Sequence, residues 1–344
     1  MRASVIVVSY NSLRYLPNCL DAILAQLGPQ DELIVVDNGS TDGSAELVQA
    51  KYPEARLLRG ENTGYAGGNN RGAAAAHGAY LVFFNPDTIP ARGALEALLE
   101  PLQGRAGVAL TTACVVHMSR PAVVNACGNT IHYTGLAYCR GAGQARGSFA
   151  ATAEVDAVSG AAFAIRRTVF EDLGGFDAQF FMYVEDIDLS WRARLAGYRC
   201  LYVPGAVVEH DYRPSYSPVK AFYLDRNRHL MLLKNLDRDT YLRMLAGLLL
   251  GECVTWGFLL LRGPRYWGVK PRVYAWLWRH RHAIRAARRA AQSLRRWPDQ
   301  AVIGQMTHRL EFGQLAGRQI AAAAALVFHP AFWLARLPLT GGRP

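Results

Sequence analysis

The sequence predicts an α/β fold, a mostly parallel twisted sheet flanked by helices, followed by a C-terminal helical extension. Three observations predict it. Short β-branched apolar runs alternate with amphipathic helical segments through the first hundred residues. The unusual polar residues cluster at the carboxyl ends of those runs, where open parallel sheets bind ligands. Beyond Pro218 the alternation stops and long apolar and basic stretches take over. At 344 residues, 51% hydrophobic and 19% charged, the chain can bury a sizeable core and is neither disordered nor collagen-like.

The elements follow in order. Ala3–Ser9 (ASVIVVS) is the run expected of a strand covered on both faces. Leu13, Leu16, Leu20, Ile23, Leu24 and Leu27 then share one helical face, with Ser12 placed to cap it. Next come the strand ELIVVD ending at Asp37, a helix over Ala45–Lys51 and the strand ARLLR. A glycine-rich loop leads to a helix near Asn70–His77, the strand AYLVFFN, and a helix over about 92–102. Such alternation implies right-handed crossovers with helices on both faces. Residues 106–165 mix short strands and Gly-rich turns. A helix, a GGFD turn, a helix carrying VEDIDLSWRARLAG and the strand RCLYVP complete a first domain over residues 1–218.

Residues 219–344 form the second domain, helical and basic. Residues 1–261 carry 23 Lys+Arg against 25 Asp+Glu, whereas residues 262–344 carry 15 against 2, a net +13. An asymmetry on this scale calls for a polyanionic surface. Tyr241–Leu261 and Ile320–Leu337 are greasy enough to raise the question of membrane spans. Glu252 in the first run and the 13 Lys+Arg between the runs argue against spanning. Helices lying on an anionic membrane are the preferred reading, with insertion or a buried bundle as alternatives. Over Arg279–Trp297, arginines crowd a weak apolar face of Ile284, Ala287, Ala291 and Leu294, as in interfacial helices. No motif that reads RNA or DNA accompanies these charges, so nucleic acid is not an expected partner. The six cysteines form no C-x-x-C pair, and the start MRASVIVVSYN runs directly into a strand, so neither a zinc site nor a secretory signal is expected.

The candidate site assembles from strand ends. Strand one ends at Ser9-Tyr10-Asn11, strand two at Asp37-Asn38-Gly39-Ser40, strand three leads to Glu61-Asn62-Thr63-Gly64-Tyr65, and strand four ends at Asn85-Pro86-Asp87. Two carboxylates, several amides and a backbone-rich glycine loop on one edge suit a nucleotide. Each piece also has a plain structural reading: turn formers, close helix–strand packing, a helix cap. GYAGGNNRG is not G-x-G-x-x-G, which speaks against a dinucleotide-dependent dehydrogenase.

The ordered set VIVVSYN, VVDNGSTDGS, NTGYAGGNNRG, FFNPDT, SGAAFAIRR and FFMYVEDIDLSWRARLAGY resembles the family-2 glycosyltransferases of the GT-A fold, closest to the rhamnosyltransferase-like branch. The resemblance covers roughly residues 3–236. It implies inverting, metal-dependent transfer of a sugar from a nucleoside diphosphate sugar to a hydroxyl, in bacterial cell-surface polysaccharide assembly. Carried over residue by residue, Asp37 resembles the carboxylate that meets the base or ribose, with Ser9 and Asn11 beside it. Asn62, Gly64, Gly67 and Asn70 resemble the loop that closes over nucleotide and sugar. Asn85-Pro86-Asp87 occupies the D-x-D position, with Asp87 the ligand of a Mg²⁺ or Mn²⁺ ion and His210 completing the metal site. Glu185-Asp186 supplies the catalytic carboxylates, Asp186 being the base.

The resemblance further implies a saccharide or lipid-linked acceptor; with the charge and apolar runs of the C-terminal quarter, the expected place is peripheral on the cytoplasmic face of the inner membrane, insertion being the alternative. Rhamnose from dTDP-rhamnose is the plausible donor group, with a UDP- or GDP-sugar, or an idle nucleotide-sugar-binding scaffold, as alternatives. Trp191, the other histidines and all six cysteines are read as structural.

Overall fold

The first strand, β1 (Ala3–Ser9), is buried along nearly its whole length, because apolar side chains point to both of its faces and helices cover both. A computed structural model describes residues 2–105, 107–213, 215–314 and 318–339. The chain divides into two compact units: 1–129, 139–193 and 198–214 form the first, and 130–138, 194–197 and 215–344 the second.

In the first unit, α1 (Leu16–Leu24), β2 (Glu32–Asp37), α2 (Ser44–Lys51), β3 (Ala55–Arg59), α3 (Gly64–Ala74) and β4 (Tyr80–Phe84) follow β1. Then come β5 (Thr88–Pro90), α4 (Ala94–Gly104), β6 (Val108–His117) and β7 (Arg120–Ala126); the short strands β8 (Asn129–Ile131) and β9 (Ala137–Cys139) follow in the chain, with their residues 130–131 and 137–138 in the second unit. β10 (Ala153–Val155), β11 (Ala162–Arg166), α5 (Arg167–Asp172), α6 (Glu185–Leu195) and β12 (Arg199–His210) end the series. The main sheet has the order β10-β12-β6-β11-β4-β1-β2-β3, with β5 on β12 and β7 on β6. β3, β2, β1, β4, β6 and β12 run in one direction, and β11 threads antiparallel between β4 and β6. The order reverses beside β1, whose neighbours β2 and β4 leave a crevice at their carboxyl ends.

Two sequence expectations change here. Ser12 does not cap α1: its Oγ donates to Tyr10 O at 3.2 Å, and the helix starts at Leu16, where Pro17 has its φ preset for a first turn. The helix expected near Asn70 starts six residues earlier, at Gly64, so most of the glycine-rich motif is helical. A Cβ on Gly68 would lie 2.7 Å from Val8 Cγ1, and one on Gly72 2.5 Å from Ile6 Cγ2. Those glycines let α3 press onto β1, which offsets the roughly 0.5–1 kcal/mol each costs a helix interior. Beneath the sheet's other half, Phe83 and Phe163 stack with centroids 4.7 Å apart and Phe176 meets both edge-on. Truncating such a buried ring to Ala typically costs about 3–5 kcal/mol.

In the second unit, α7 (Pro218–Asn235) leads to α8 (Arg238–Arg243), α9 (Leu245–Leu261), α10 (Pro264–Trp267), α11 (Val269–Arg279), α12 (Arg281–Ser293), α13 (Asp299–Ile303) and α14 (Arg318–Arg336). The greasy run Tyr241–Leu261 is thus two helices meeting at Met244, and among the described residues no helix is long and apolar enough to cross a membrane. Glu252 on α9 meets Arg228 on α7 and Lys270 on α11, the latter at 2.8 Å. These contacts, with His229, hold its carboxyl far below the usual range despite burial. Asp225, His229 and Glu252 have ligand atoms close enough to share a metal. With Arg228 and Lys270 already balancing the two carboxylates, however, the cluster is an ion-pair network rather than a cation site.

Candidate active site

Asp37 ends β2 beside Ser9, its register partner on β1. Asp37 is 5% exposed; Oδ2 accepts from Ser40 N–H at 3.3 Å, and Oδ1 has no hydrogen-bond partner, nor does Ser9 Oγ. Buried oxygens of this kind need a donor, from water or from a ligand. Asn11, at φ 50°, ties the β1 and β2 loops together instead: its N–H donates to Ser40 Oγ and its Oδ1 accepts from Thr41 N–H at 2.8 Å. Asn38, within VVDNGSTDGS, organises the next loop. Its Nδ2 donates to Asn62 Oδ1 and Gly64 O, and its Oδ1 accepts from Thr63 N–H. Asn62 Oδ1 also takes the Gly64 N–H at 2.9 Å, the first orphan donor of α3.

Gly64 has φ +73°, and a Cβ there would lie 2.2 Å from Phe181 O. Gly67 lies on the first turn of α3, where a Cβ would strike Thr63. Asn70 is a strut: Oδ1 accepts from Phe176 N–H at 2.9 Å and Nδ2 donates to Phe176 O at 2.8 Å. Both ends of its amide hold backbone, so the structure uses Asn70 to fix the turn before α6.

That turn is strained. Phe181, at φ 61° and ψ −64°, centres a γ-turn closed by Met182 N–H to Phe180 O at 2.7 Å, a rare form. Tyr183 and Val184 follow at φ 67° and 70°. Three left-handed non-glycine residues in a row of four occur where surrounding contacts over-determine the backbone, commonly at functional sites. They deliver Glu185 and Asp186 to the start of α6.

The two carboxyls meet different environments. Asp186 Oδ2 accepts from Gly160 N–H at 2.8 Å and from Asn129 Nδ2 at 3.4 Å, and Oδ1 from Ile187 N–H at 2.9 Å. Glu185, 6% exposed, leaves Oε2 without a partner. Burial, then the Asp186 charge, pushes Glu185 well above the usual carboxylate range; burial also raises Asp186, but its N–H donors pull back. The N–H donors around Asp186 therefore favour its charged form more than anything around Glu185 favours the charge there. Asp188 is taken up by Arg192, a buried pair at 2.9 Å whose guanidinium also holds Leu173 O and Gly175 O.

Gly160 joins these groups to the strand edge. Its carbonyl accepts from Tyr65 OH at 2.7 Å, and Ala161 O accepts from Asn85 N–H at 3.0 Å. Asp186 thus sits beside the end of β4, where Asn85 begins the turn to Asp87. The pairing of β5 with β12 places Thr88 opposite His210, bringing Asp87 Oδ2 to 3.4 Å from His210 Nε2. His210 Nδ1 meets Asn125 Oδ1 at 3.0 Å. Held by Asn125, the ring turns Nε2 towards the Asp87 carboxylate. One carboxylate oxygen and one imidazole nitrogen, the latter oriented from behind, fit Mn²⁺ or Mg²⁺ with phosphate and water completing the shell. Asn125 and Asn129 lie outside the sequence motifs, and Gly160 lies within one of them, SGAAFAIRR, whose pattern alone does not mark it as a site residue.

A family model described as "Glycosyltransferase like family 2" matches residues 2–229. An N-acetylglucosaminyl-diphospho-decaprenol L-rhamnosyltransferase of Mycobacterium tuberculosis is 29% identical over 231 residues, 60% of this chain and 75% of that one. A pre-mycofactocin glycosyltransferase of the same organism is 33% identical over 196 residues, 56% of this chain but 40% of its own length. Among solved structures, GalNAc-T7 with UDP, GalNAc and Mn²⁺ aligns at a TM-score of 0.56 and 16% identity, over 69% of this chain and 48% of that one. Staphylococcus aureus TarS 1–349 with UDP-GlcNAc aligns at 0.53 and 18%, over 86% and 89%. Both structural likenesses are likenesses of fold.

Proposed function

The chain belongs to glycosyltransferase-like family 2 and is a glycosyltransferase that takes its sugar from a nucleotide sugar, and on that premise we propose inverting transfer to a hydroxyl of a lipid-linked saccharide, with rhamnose from dTDP-rhamnose as the group moved. The observation that carries the reading is the placement of Asp186 beside the end of β4, its carboxylate accepting from Gly160 N–H, Asn129 Nδ2 and Ile187 N–H while Glu185 Oε2 has no partner. Asp37 Oδ1 and Ser9 Oγ take donors of the base or ribose. Asp186 receives the acceptor's proton as the hydroxyl oxygen bonds to the anomeric carbon and the bond from that carbon to the diphosphate breaks on the opposite side. Glu185 keeps its proton and so spares Asp186 a second adjacent charge. A divalent ion held by Asp87 and His210 would offset the charge developing on the departing diphosphate.

The second unit supports a peripheral place on an anionic membrane, where such an acceptor resides. Of seventeen large hydrophobic side chains that stand exposed among the described residues, three belong to the first unit and fourteen to the second. The net +13 of residues 262–344 lies in the same unit.

The test is a panel of dTDP-, UDP- and GDP-sugars, read by thermal shift and by transfer to a polyprenyl-diphosphate-linked N-acetylglucosamine, with and without Mn²⁺. Metal-dependent transfer of rhamnose with inverted configuration is expected. Transfer only from a UDP- or GDP-sugar would overturn the donor assignment, and a retained configuration would overturn the mechanism.

A further inference from the structure

Within the second unit, α7, α8, α11 and α12 enclose a cleft of about 340 Å³. Its floor is apolar, with Leu233, Leu277 and the buried Ile284. Four arginines ring it: Arg238, Arg281, Arg285 and Arg288. No carboxylate lines the cleft, and among the described residues none of the four makes an ion pair. Two are anchored by backbone: Arg288 donates to Leu233 O at 2.8 Å and to Leu236 O, and Arg281 donates to Trp278 O at 3.0 Å while lying over the Trp278 ring. Arg238 and Arg285 stand exposed. Leu242, which lines the cleft, is 56% exposed, and Trp278, covered on one face by Arg281, is 67% exposed.

Four guanidinium groups around an apolar hollow repel one another and leave hydrocarbon facing water. Both costs disappear when one ligand carries phosphate above and methylenes below. A nucleotide or free phosphate would use the rim and waste the leucine floor; an apolar ligand would use the floor and leave the charges. We propose that this cleft binds the phosphate head and first acyl methylenes of a single anionic phospholipid. The exposed Leu242 on the cleft and the exposed Trp278 beside Arg281 favour a lipid drawn from a bilayer surface. The inference rests on the reading of the second unit as membrane-facing and names the site and the ligand within it.

The experiment uses the full chain. Dihexanoyl-phosphatidylglycerol, dihexanoyl-phosphatidylcholine, glycerol 3-phosphate and a polyprenyl phosphate are titrated by calorimetry, and flotation on phosphatidylglycerol vesicles is measured in parallel. Arg238→Gln/Arg285→Gln is compared with Arg279→Gln/Arg289→Gln, exposed arginines outside the cleft with the same loss of charge. Saturable binding of the short phosphatidylglycerol is expected, with glycerol 3-phosphate and the choline lipid at least about tenfold weaker. The cleft pair should lose about tenfold or more and the control pair little. Equal losses in both pairs would overturn the cleft while leaving vesicle binding, and so the membrane reading, standing. Glycerol 3-phosphate binding as well as the lipid would make it a soluble-phosphate site, and preference for the polyprenyl phosphate would reassign the lipid. Failure of the wild type to float would remove the membrane reading itself.

Discussion

Gly160 N–H donates to Asp186 Oδ2 at 2.8 Å, and a Cβ on Gly160 would stand 3.3 Å from that same oxygen. The glycine both supplies a hydrogen-bond donor that favours the charged form of Asp186 and leaves room for its carboxylate. Asn129 Nδ2 reinforces the arrangement from the end of the β7–β8 connection. The neighbouring Glu185 has no such help for Oε2, and the contrast separates the roles of two adjacent acids.

Asp186→Asn should bind donor as the wild type does and lose at least about 10²-fold in turnover, the low end of general-base contributions. Glu185→Gln, which replaces a protonated acid by a neutral isostere, should keep most of its activity. Because burial raises the Asp186 pKa, activity should fall with decreasing pH at a midpoint above the ordinary aspartate range. Calorimetric donor affinity and a pH–rate profile check both. Equal damage from the two substitutions would assign the pair a shared structural role.

Asn125→Leu should weaken Mn²⁺ binding about 10–100-fold, the usual cost of losing a group that orients a metal-ligating histidine. Its amide oxygen holds His210 Nδ1 at 3.0 Å, and without it Nε2 no longer faces Asp87. Asp87→Ala should go further and abolish the metal-dependent part of donor affinity. Mn²⁺ titration by electron paramagnetic resonance reads both without turnover. Unchanged Mn²⁺ affinity in Asp87→Ala would move the metal elsewhere.

Val184→Gly should raise stability by about 1 kcal/mol or more and lower turnover. Valine at φ 70° is held against a steric preference that glycine lacks. Freed of that strain, the segment before Glu185 gains conformations that do not present Asp186. Gly64→Ala acts from the other side, since its Cβ would meet Phe181 O, and should lose stability and activity together. Thermal melts beside initial rates decide. A stabilised Val184→Gly with full activity would show the strain to be incidental.

The parallel half of the sheet was legible because β1, β2 and β4 are apolar on both faces, and only a covered central strand reads that way. The strand ends therefore also gave Asp37, Asn85 and Asp87 their place on one edge. The pairings that tune the site were not legible. Asn125 meets His210 across 85 residues and Asn129 meets Asp186 across 57, from a stretch of short strands whose polar residues follow no period. Phe181, Tyr183 and Val184 are strand-prone types, so nothing local announces their left-handed backbone. The glycines of NTGYAGGNNRG read as a loop because glycine disfavours helix; packing against Ile6 and Val8 reverses that preference. In the second domain the long apolar run concealed the bend at Met244, and Glu252 found its cations on α7 and α11.

His132 gives the second unit a predictable acid sensitivity. Its ring is fully buried between Tyr133 and Phe332, its Nε2 has no hydrogen-bond partner, and its Nδ1 meets Thr134 Oγ1 at 2.7 Å. Burial drives its pKa down to about 3 from an ordinary 6.5; the His308 backbone pulls back, and the charges of His308, Arg336 and His329 add to the depression. The folded state therefore keeps the ring neutral where the unfolded chain would protonate it. The stability this contributes is complete above pH 6.5 and declines as pH falls, by about 1.4 kcal/mol for each unit between 6.5 and 3. In His132→Gln that one-proton slope should vanish, so the mutant, less stable at pH 7.5, should close on the wild type by pH 5. Chemical denaturation of both proteins across this range measures the slopes. Parallel curves would show that His132 takes up its proton in the folded state, contrary to its burial.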